Sequence, residues 1–227
     1  MIRTIRRTDR RDFIAAAALL AAAGLCALPA AAQAPSATGG AATPVILVVG
    51  DSLSAEYGLA RGTGWVALLE KKLAEEKVPA RVVNASVSGD TTSGGRARLP
   101  ALLAQHRPTH VVIELGGNDA LRGLPLKGTE DNLAFMAQAA RKAGAKVLLV
   151  GMQVPPNYGG DYGRRFGAVF PAVAAAEKTA LVPFLLAGVA DAKDPTALFQ
   201  PDRIHPRAEA QPMMLANVWP ELKKLLR

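Results

Sequence analysis

The tract GDSLS at 50–54 follows directly on the apolar run VILVV at 45–49. Ser52 in that setting can be a nucleophile, a helix cap or a residue of a phosphate-binding loop. A nucleophilic serine needs a base, and the base needs a group that fixes its tautomer. The tract PDRIHP at 201–206 supplies both, because Asp202 and His205 stand three apart in a proline-bounded turn. At that spacing the carboxylate reaches one ring nitrogen and leaves the other for the Ser52 hydroxyl. The chain order Ser, Asp, His is no objection, since unrelated triads use different orders. Attack on a carbonyl also needs donors for the developing oxyanion. Three candidates present themselves: the Ser52 backbone N–H at an expected helix start, the Gly89 N–H in NASVSGDTTSGG, and the Asn118 carboxamide in ELGGND. Glycine at 89 lets the main chain approach a substrate without an intervening Cβ.

Other chemistries find less support. The usual serine-hydrolase elbow is G-x-S-x-G, and here Ser54 stands where the second glycine belongs. GDTTSGG lacks the G-K-[ST] of a phosphate loop. Residues 62–67, GTGWVA, fit the dinucleotide pattern G-x-G-x-x-A but begin 13 residues after the apolar run, too late for a strand-end turn. No metal-ligand spacing such as HExxH occurs, so neither cofactor nor metal is expected. Asp51 reads as a structural hydrogen-bonding residue, and His106 and His110 as structural histidines outside the site. Trp65, Trp219 and Phe135 read as core or groove wall.

These residues must be held by elements far apart in the chain. Short apolar runs at 45–49, 81–84, 110–115, 146–151 and 180–184 predict buried strands. Helical spacing of apolar residues occurs between them at 64–76, 95–105, 130–143 and 162–178, with a final helix over 207–226 that prolines 212 and 220 would kink. Strands alternating with helices predict a parallel sheet covered on both faces, a three-layer α/β/α domain. Ligands in such sheets bind beyond the carboxyl ends of the strands. Ser52, Gly89, Asn118 and the Asp202–His205 pair all follow predicted strand ends.

The tracts GDSLS, NASVSGDTTSGGRARLPALLAQHRP, VVIELGGNDALRG and DRIHP, in that order, resemble the four blocks of the SGNH (GDSL) hydrolase family. Within it they are most similar to the bacterial periplasmic thioesterases, lysophospholipases and arylesterases. The resemblance covers residue 44 to the C-terminus. It implies a flavodoxin-like fold with a five-stranded parallel sheet of order 2-1-3-4-5. It implies Ser52 as nucleophile, His205 as base oriented by Asp202, and Ser52, Gly89 and Asn118 as oxyanion hole. The implied reaction is hydrolysis of carboxylic esters and thioesters: aryl esters, acyl thioesters and lysophospholipids. A carbohydrate O-acetyl esterase of the same fold is the alternative, and a non-catalytic lipid or glycan carrier a remoter one. Glu56 and the tract PPNYGGDYGRRF depart from close relatives and are expected to border the acyl groove. Walls for that groove are expected at 120–126 and around Tyr158.

Composition bounds the remaining questions. The chain has 227 residues, half of them hydrophobic, enough for one substantial core. Residues 1–34 carry five arginines, an alanine-rich run and a closing A-x-A, the layout of an export signal. DRRDFI within it resembles a twin-arginine signal, although the general secretory route stays open. Residues 35–43 read as a linker, leaving 44–227 as the domain. Five of the 27 Lys+Arg and two of the 19 Asp+Glu fall in 1–34, so the net charge of +8 drops to +5 beyond it. The remaining basic residues are scattered, which argues against nucleic-acid binding. The single cysteine, Cys26, also lies in 1–34, so the domain has no disulfide or thiol nucleophile. A periplasmic or secreted location is expected, with a small acyl ester or thioester, lysophospholipids included, as substrate and no obligate protein partner.

Overall fold

The computed structural model describes residues 43–194 and 196–227. The expected export signal at 1–34, Cys26 and nearly all of the expected linker lie outside the described residues. The described chain alternates as expected: β1 (Val45–Gly50), α1 (Trp65–Glu75), β2 (Arg81–Asn84), α2 (Thr92–His106), β3 (His110–Glu114), α3 (Gly117–Leu121), α4 (Leu126–Lys142), β4 (Lys146–Val150), α5 (Gly160–Glu177), β5 (Ala180–Val182) and α6 (Gln211–Leu225). The five strands form one parallel sheet in the order β2-β1-β3-β4-β5. Helices α1 and α6 pack together, while α2, α4 and α5 pack in succession as a second layer. The α/β/α architecture and strand order are those expected.

The central strands are apolar on both faces because both faces are covered. Ile46, Leu47, Val48 and Val49 of β1 are fully buried, as are Val111 and Val112 of β3 and Leu148 to Val150 of β4. Truncating one such side chain to alanine is expected to cost about 2–5 kcal/mol. The edge strand β2, by contrast, is exposed at both ends and half-buried between them.

Several boundaries differ from expectation for local reasons. Helix α2 starts at Thr92 rather than 95, because the Thr91 hydroxyl accepts the Gly94 N–H and caps it. The expected fifth strand ends at Val182, where Pro183 has no N–H to continue the ladder. The last helix begins as one 3₁₀ turn at Ala208–Ala210, and α6 then continues through Pro220 to Leu225. Helix α3 was not expected; five residues leave no periodic signal.

Candidate active site

Strand β1 delivers Ser52 to the carboxyl edge of the sheet, and Gly50 lets the chain pass. A Cβ on Gly50 would lie 2.7 Å from Ser54 Oγ and 2.8 Å from Glu114 Oε2, so no other residue fits. Ser52 does not begin a helix. The chain runs through successive turns from Ser52 to Gly58, and α1 starts only at Trp65. Positive φ angles at Glu56 (59°) and Gly58 (71°) break any right-handed helix there. Both Glu56 carboxylate oxygens accept the Gly62 N–H, and Oε1 also accepts the Gly64 N–H at 2.9 Å. Its carboxylate therefore shapes the serine loop and is spoken for within it.

The loop between β5 and α6 brings the other two groups. His205 Nε2 lies 2.8 Å from Ser52 Oγ, and His205 Nδ1 lies 2.7 Å from Asp202 Oδ2. The second Asp202 oxygen accepts the backbone N–H of Ile204 and of His205, each at 3.0 Å. The three-residue spacing thus lets one carboxylate hold both the loop backbone and the ring. Burial works to raise the Asp202 carboxyl, but these two N–H groups and the imidazole outweigh it and hold it at about 2. Asp202 is therefore ionised at neutral pH and keeps Nδ1 protonated, which leaves Nε2 to accept the serine proton. The loop is closed at its base: the Gln200 N–H donates to the His205 carbonyl at 2.8 Å, and Phe199 bridges to Pro206.

Tyr57 escaped the sequence reading. Its ring stands 4.3 Å from the His205 ring, tilted by 36°, and its carbonyl accepts from Gln200 Nε2 at 2.9 Å. An aromatic five residues beyond Ser52 is the one sequence signal that points to it.

The three expected oxyanion donors surround the same loop. The Val87 N–H donates to the Gly50 carbonyl, which carries the Gly89 turn up to the end of β1. Arg98 ties this turn down, with Nε on Asp90 Oδ2 at 2.7 Å, Nη1 on the Ala85 carbonyl and Nη2 on the Gly50 carbonyl at 3.3 Å. Gly89 has φ +77°, a conformation that glycine adopts without strain. Asn118 lies in α3, and its Nδ2 donates to Asp51 Oδ2 at 3.1 Å. Among the described residues no partner takes the Ser52 or Gly89 N–H, and Asn118 keeps one amide proton beyond that bond.

Beneath the serine loop lies a buried acidic floor. Asp51 and Glu114 are 2% and 0% exposed. Glu114 Oε2 accepts the Ser54 hydroxyl at 2.6 Å, and Trp65 Nε1 donates to that hydroxyl at 3.2 Å. Trp65 is thus core rather than groove wall. Burial raises the Asp51 carboxyl to about 6, against the Leu53 N–H and the Asn118 amide, which lower it. Burial, then the Asp51 charge, pushes Glu114 well above the carboxylate range.

The remaining expectations sort cleanly. His110 stands at the opposite edge of the sheet, its Nε2 2.9 Å from the Leu225 carbonyl, and burial lowers its basicity. Of the expected groove walls, Ala120 is fully buried in the core, whereas Leu124 and Tyr158 are exposed. Phe135 and Trp219 are half-buried helix residues lying under Arg96 and Lys223, away from the site. Among the described residues no group of His, Cys, Asp and Glu could hold a metal ion.

Comparison with known proteins accounts for the arrangement. The sequence profile of the GDSL-like Lipase/Acylhydrolase family matches residues 48–211. The chain is 60% identical to the esterase TesA of Pseudomonas aeruginosa over 186 residues, covering 82% of this chain and 91% of that protein. It is 41% identical to the thioesterase 1/protease 1/lysophospholipase L1 of Escherichia coli K12, covering 82% and 86%. The crystal structure of the psychrotrophic esterase EstA of Pseudoalteromonas, inhibited by monoethylphosphonate, superposes with a TM-score of 0.75 at 40% identity, covering 80% of this chain and 98% of that one. With a strand order, a serine loop and a family profile that agree, the chain belongs to the GDSL-like lipase/acylhydrolase family and is a carboxylic ester hydrolase.

Proposed function

We propose that Ser52 attacks the acyl carbonyl of esters and thioesters, with His205 as base, Asp202 as its orienting acid, and Ser52 N–H, Gly89 N–H and Asn118 as oxyanion hole. The observation that carries this reading is the unbroken run from Asp202 Oδ2 through the imidazole to Ser52 Oγ, with contacts of 2.7 and 2.8 Å. His205 Nε2 takes the hydroxyl proton as Oγ bonds to the carbonyl carbon. The three N–H donors hold the resulting oxyanion. As the carbon–oxygen or carbon–sulfur bond breaks, His205 returns the proton to the leaving alcohol or thiol. A water then enters the acyl-enzyme, gives its proton to His205 and releases the acid with Ser52 restored.

The substrates are aryl esters, acyl thioesters and lysophospholipids, small molecules with an apolar acyl chain. The rim of the site favours such chains. The exposed large hydrophobic residues of the described chain are Tyr57, Val87, Leu124, Tyr158 and Ile204, and each lies between the carboxyl end of a strand and the next long helix. Among the described residues, no helix is long and apolar enough to cross a membrane. The arginine-led apolar tract at 1–34 with its closing A-x-A supports export and release after residue 34 into the periplasm or medium; a mature N-terminus at Pro35 checks it.

Rates on p-nitrophenyl esters from acetate to palmitate test the substrate range. Turnover that rises beyond acetate is expected. Strict preference for acetate would instead support a carbohydrate O-acetyl esterase.

A further inference from the structure

We propose that Asp51 is the positioning residue of the oxyanion hole, fixing which end of the Asn118 carboxamide meets the reacting carbonyl. The inference rests on the roles proposed above for Ser52 and Asn118. A carboxamide has two ends of nearly the same shape and opposite polarity. Only the NH₂ end stabilises an oxyanion; the carbonyl end repels it. An ionised carboxylate accepts and never donates, so a neighbouring carboxylate selects the NH₂ end.

Asp51 is placed to make that selection. Its Oδ2 accepts from Asn118 Nδ2 at 3.1 Å, and its Oδ1 accepts the Leu53 N–H at 3.0 Å. Its own carbonyl accepts the Ser54 and Ala55 N–H groups, at 3.2 and 2.9 Å. One residue therefore shapes the turn that aims the Ser52 N–H and orients the Asn118 amide, two of the three donors. The Asp51 N–H in turn reaches Glu114 Oε2 at 3.4 Å, so the buried floor supports the lock from below. Asn118 is steadied from its other side as well. Asp119 accepts the Thr92 N–H at 2.8 Å and the Thr92 hydroxyl at 2.5 Å, fastening α3 to the start of α2. The groups that bear on the Asp51 charge are Glu114, Asn118, the Leu53 N–H, His205 and Asp90. Burial lifts its carboxyl to about 6, so above that pH the lock is in its acceptor-only state.

The test is a double-mutant cycle in kcat on a p-nitrophenyl ester, using Asp51→Asn, Asn118→Ala and both together. An asparagine at 51 can offer its own NH₂ and lets the Asn118 amide turn over. Asp51→Asn is expected to lower kcat about 100-fold, with KM changed less than about threefold, because the lost interaction belongs to the transition state. In the Asn118→Ala background the same change should cost less than about threefold. Undiminished kcat in Asp51→Asn, or an equal loss in both backgrounds, overturns the inference. Should Asp51→Asn not fold, the side-chain amide protons of Asn118 give a second reading in the His205→Ala protein, which lacks that imidazole. A shift of these resonances between pH 5 and 7 is expected; pH-insensitive resonances overturn the inference. Full activity in both Ser52→Ala and Asn118→Ala would defeat the hydrolytic reading itself. Losses in those two with none in Asp51→Asn would defeat only the inference.

Discussion

The loop that carries Asp202 and the floor that carries Asp51 meet at Ser52 from opposite directions, and they treat the same side chain in opposite ways. The Asp202 side chain is 38% exposed, takes two backbone N–H groups and an imidazole, and has its carboxyl held at about 2. Asp51 is buried beside Glu114, and its carboxyl rises to about 6. Both carboxylates accept hydrogen bonds, three at Asp202 and two at Asp51, so the lack of donors is not what sets Asp51 apart. Burial is: it outweighs the donors at Asp51 and is outweighed by them at Asp202. In the proposed mechanism the carboxylate that must remain charged sits on a partly exposed loop. The carboxylate proposed to orient the Asn118 amide sits in the core, where its charge destabilises the fold.

Removing the serine or the base erases the function of the loop and should have the largest effect. Ser52→Ala or His205→Ala is expected to lower kcat on the order of 10⁴-fold or more, measured on a p-nitrophenyl ester. Asp202→Asn comes next, at about 10³–10⁴-fold. Its amide can still accept the Ile204 and His205 N–H groups, but its NH₂ would donate to Nδ1 and put the imidazole proton on Nε2, facing the serine.

Stability against pH should separate the two aspartates by sign. The Asp202 carboxyl is lower in the fold than in the unfolded chain, so its contribution is present above about pH 4 and is lost as pH falls towards 2. The Asp51 carboxyl is higher in the fold, so the native state binds the extra proton and stability falls as pH rises from about 4 to 6. Urea titrations should show wild type losing on the order of 2–3 kcal/mol relative to Asp51→Asn across that second window. Relative to Asp202→Asn, wild type should gain between pH 2 and 4. Equal signs would break the comparison.

The smallest effect belongs to Tyr57, whose ring lies against the imidazole that the proposed attack would make cationic. At a half-exposed site such a contact is worth about 0.5–1 kcal/mol, so Tyr57→Ala should lower kcat/KM about two- to fivefold.

What the sequence made visible follows from how each feature is encoded. Ser52, Gly89, Asn118 and the Asp202–His205 pair were legible because each follows an apolar run that reads as a strand, and parallel sheets gather ligands at that edge. The Asp202–His205 contact was legible because three residues separate its partners. The Glu114–Ser54–Trp65 chain was not, because it joins residues far apart in sequence through side chains that pack as core. The helix expected at Ser52 failed because Glu56 and Gly58 take positive φ and the Glu56 carboxylate accepts the Gly62 and Gly64 N–H groups, which no periodicity announces.

Covalent capture of Ser52 tests the account most directly. Incubation of the protein with a fluorophosphonate, followed by peptide mass mapping, should place one adduct on Ser52. The adduct should vanish in Ser52→Ala and His205→Ala and persist in Ser54→Ala, whose hydroxyl is buried against Glu114. An adduct that survives Ser52→Ala, or maps to another residue, would contradict the account.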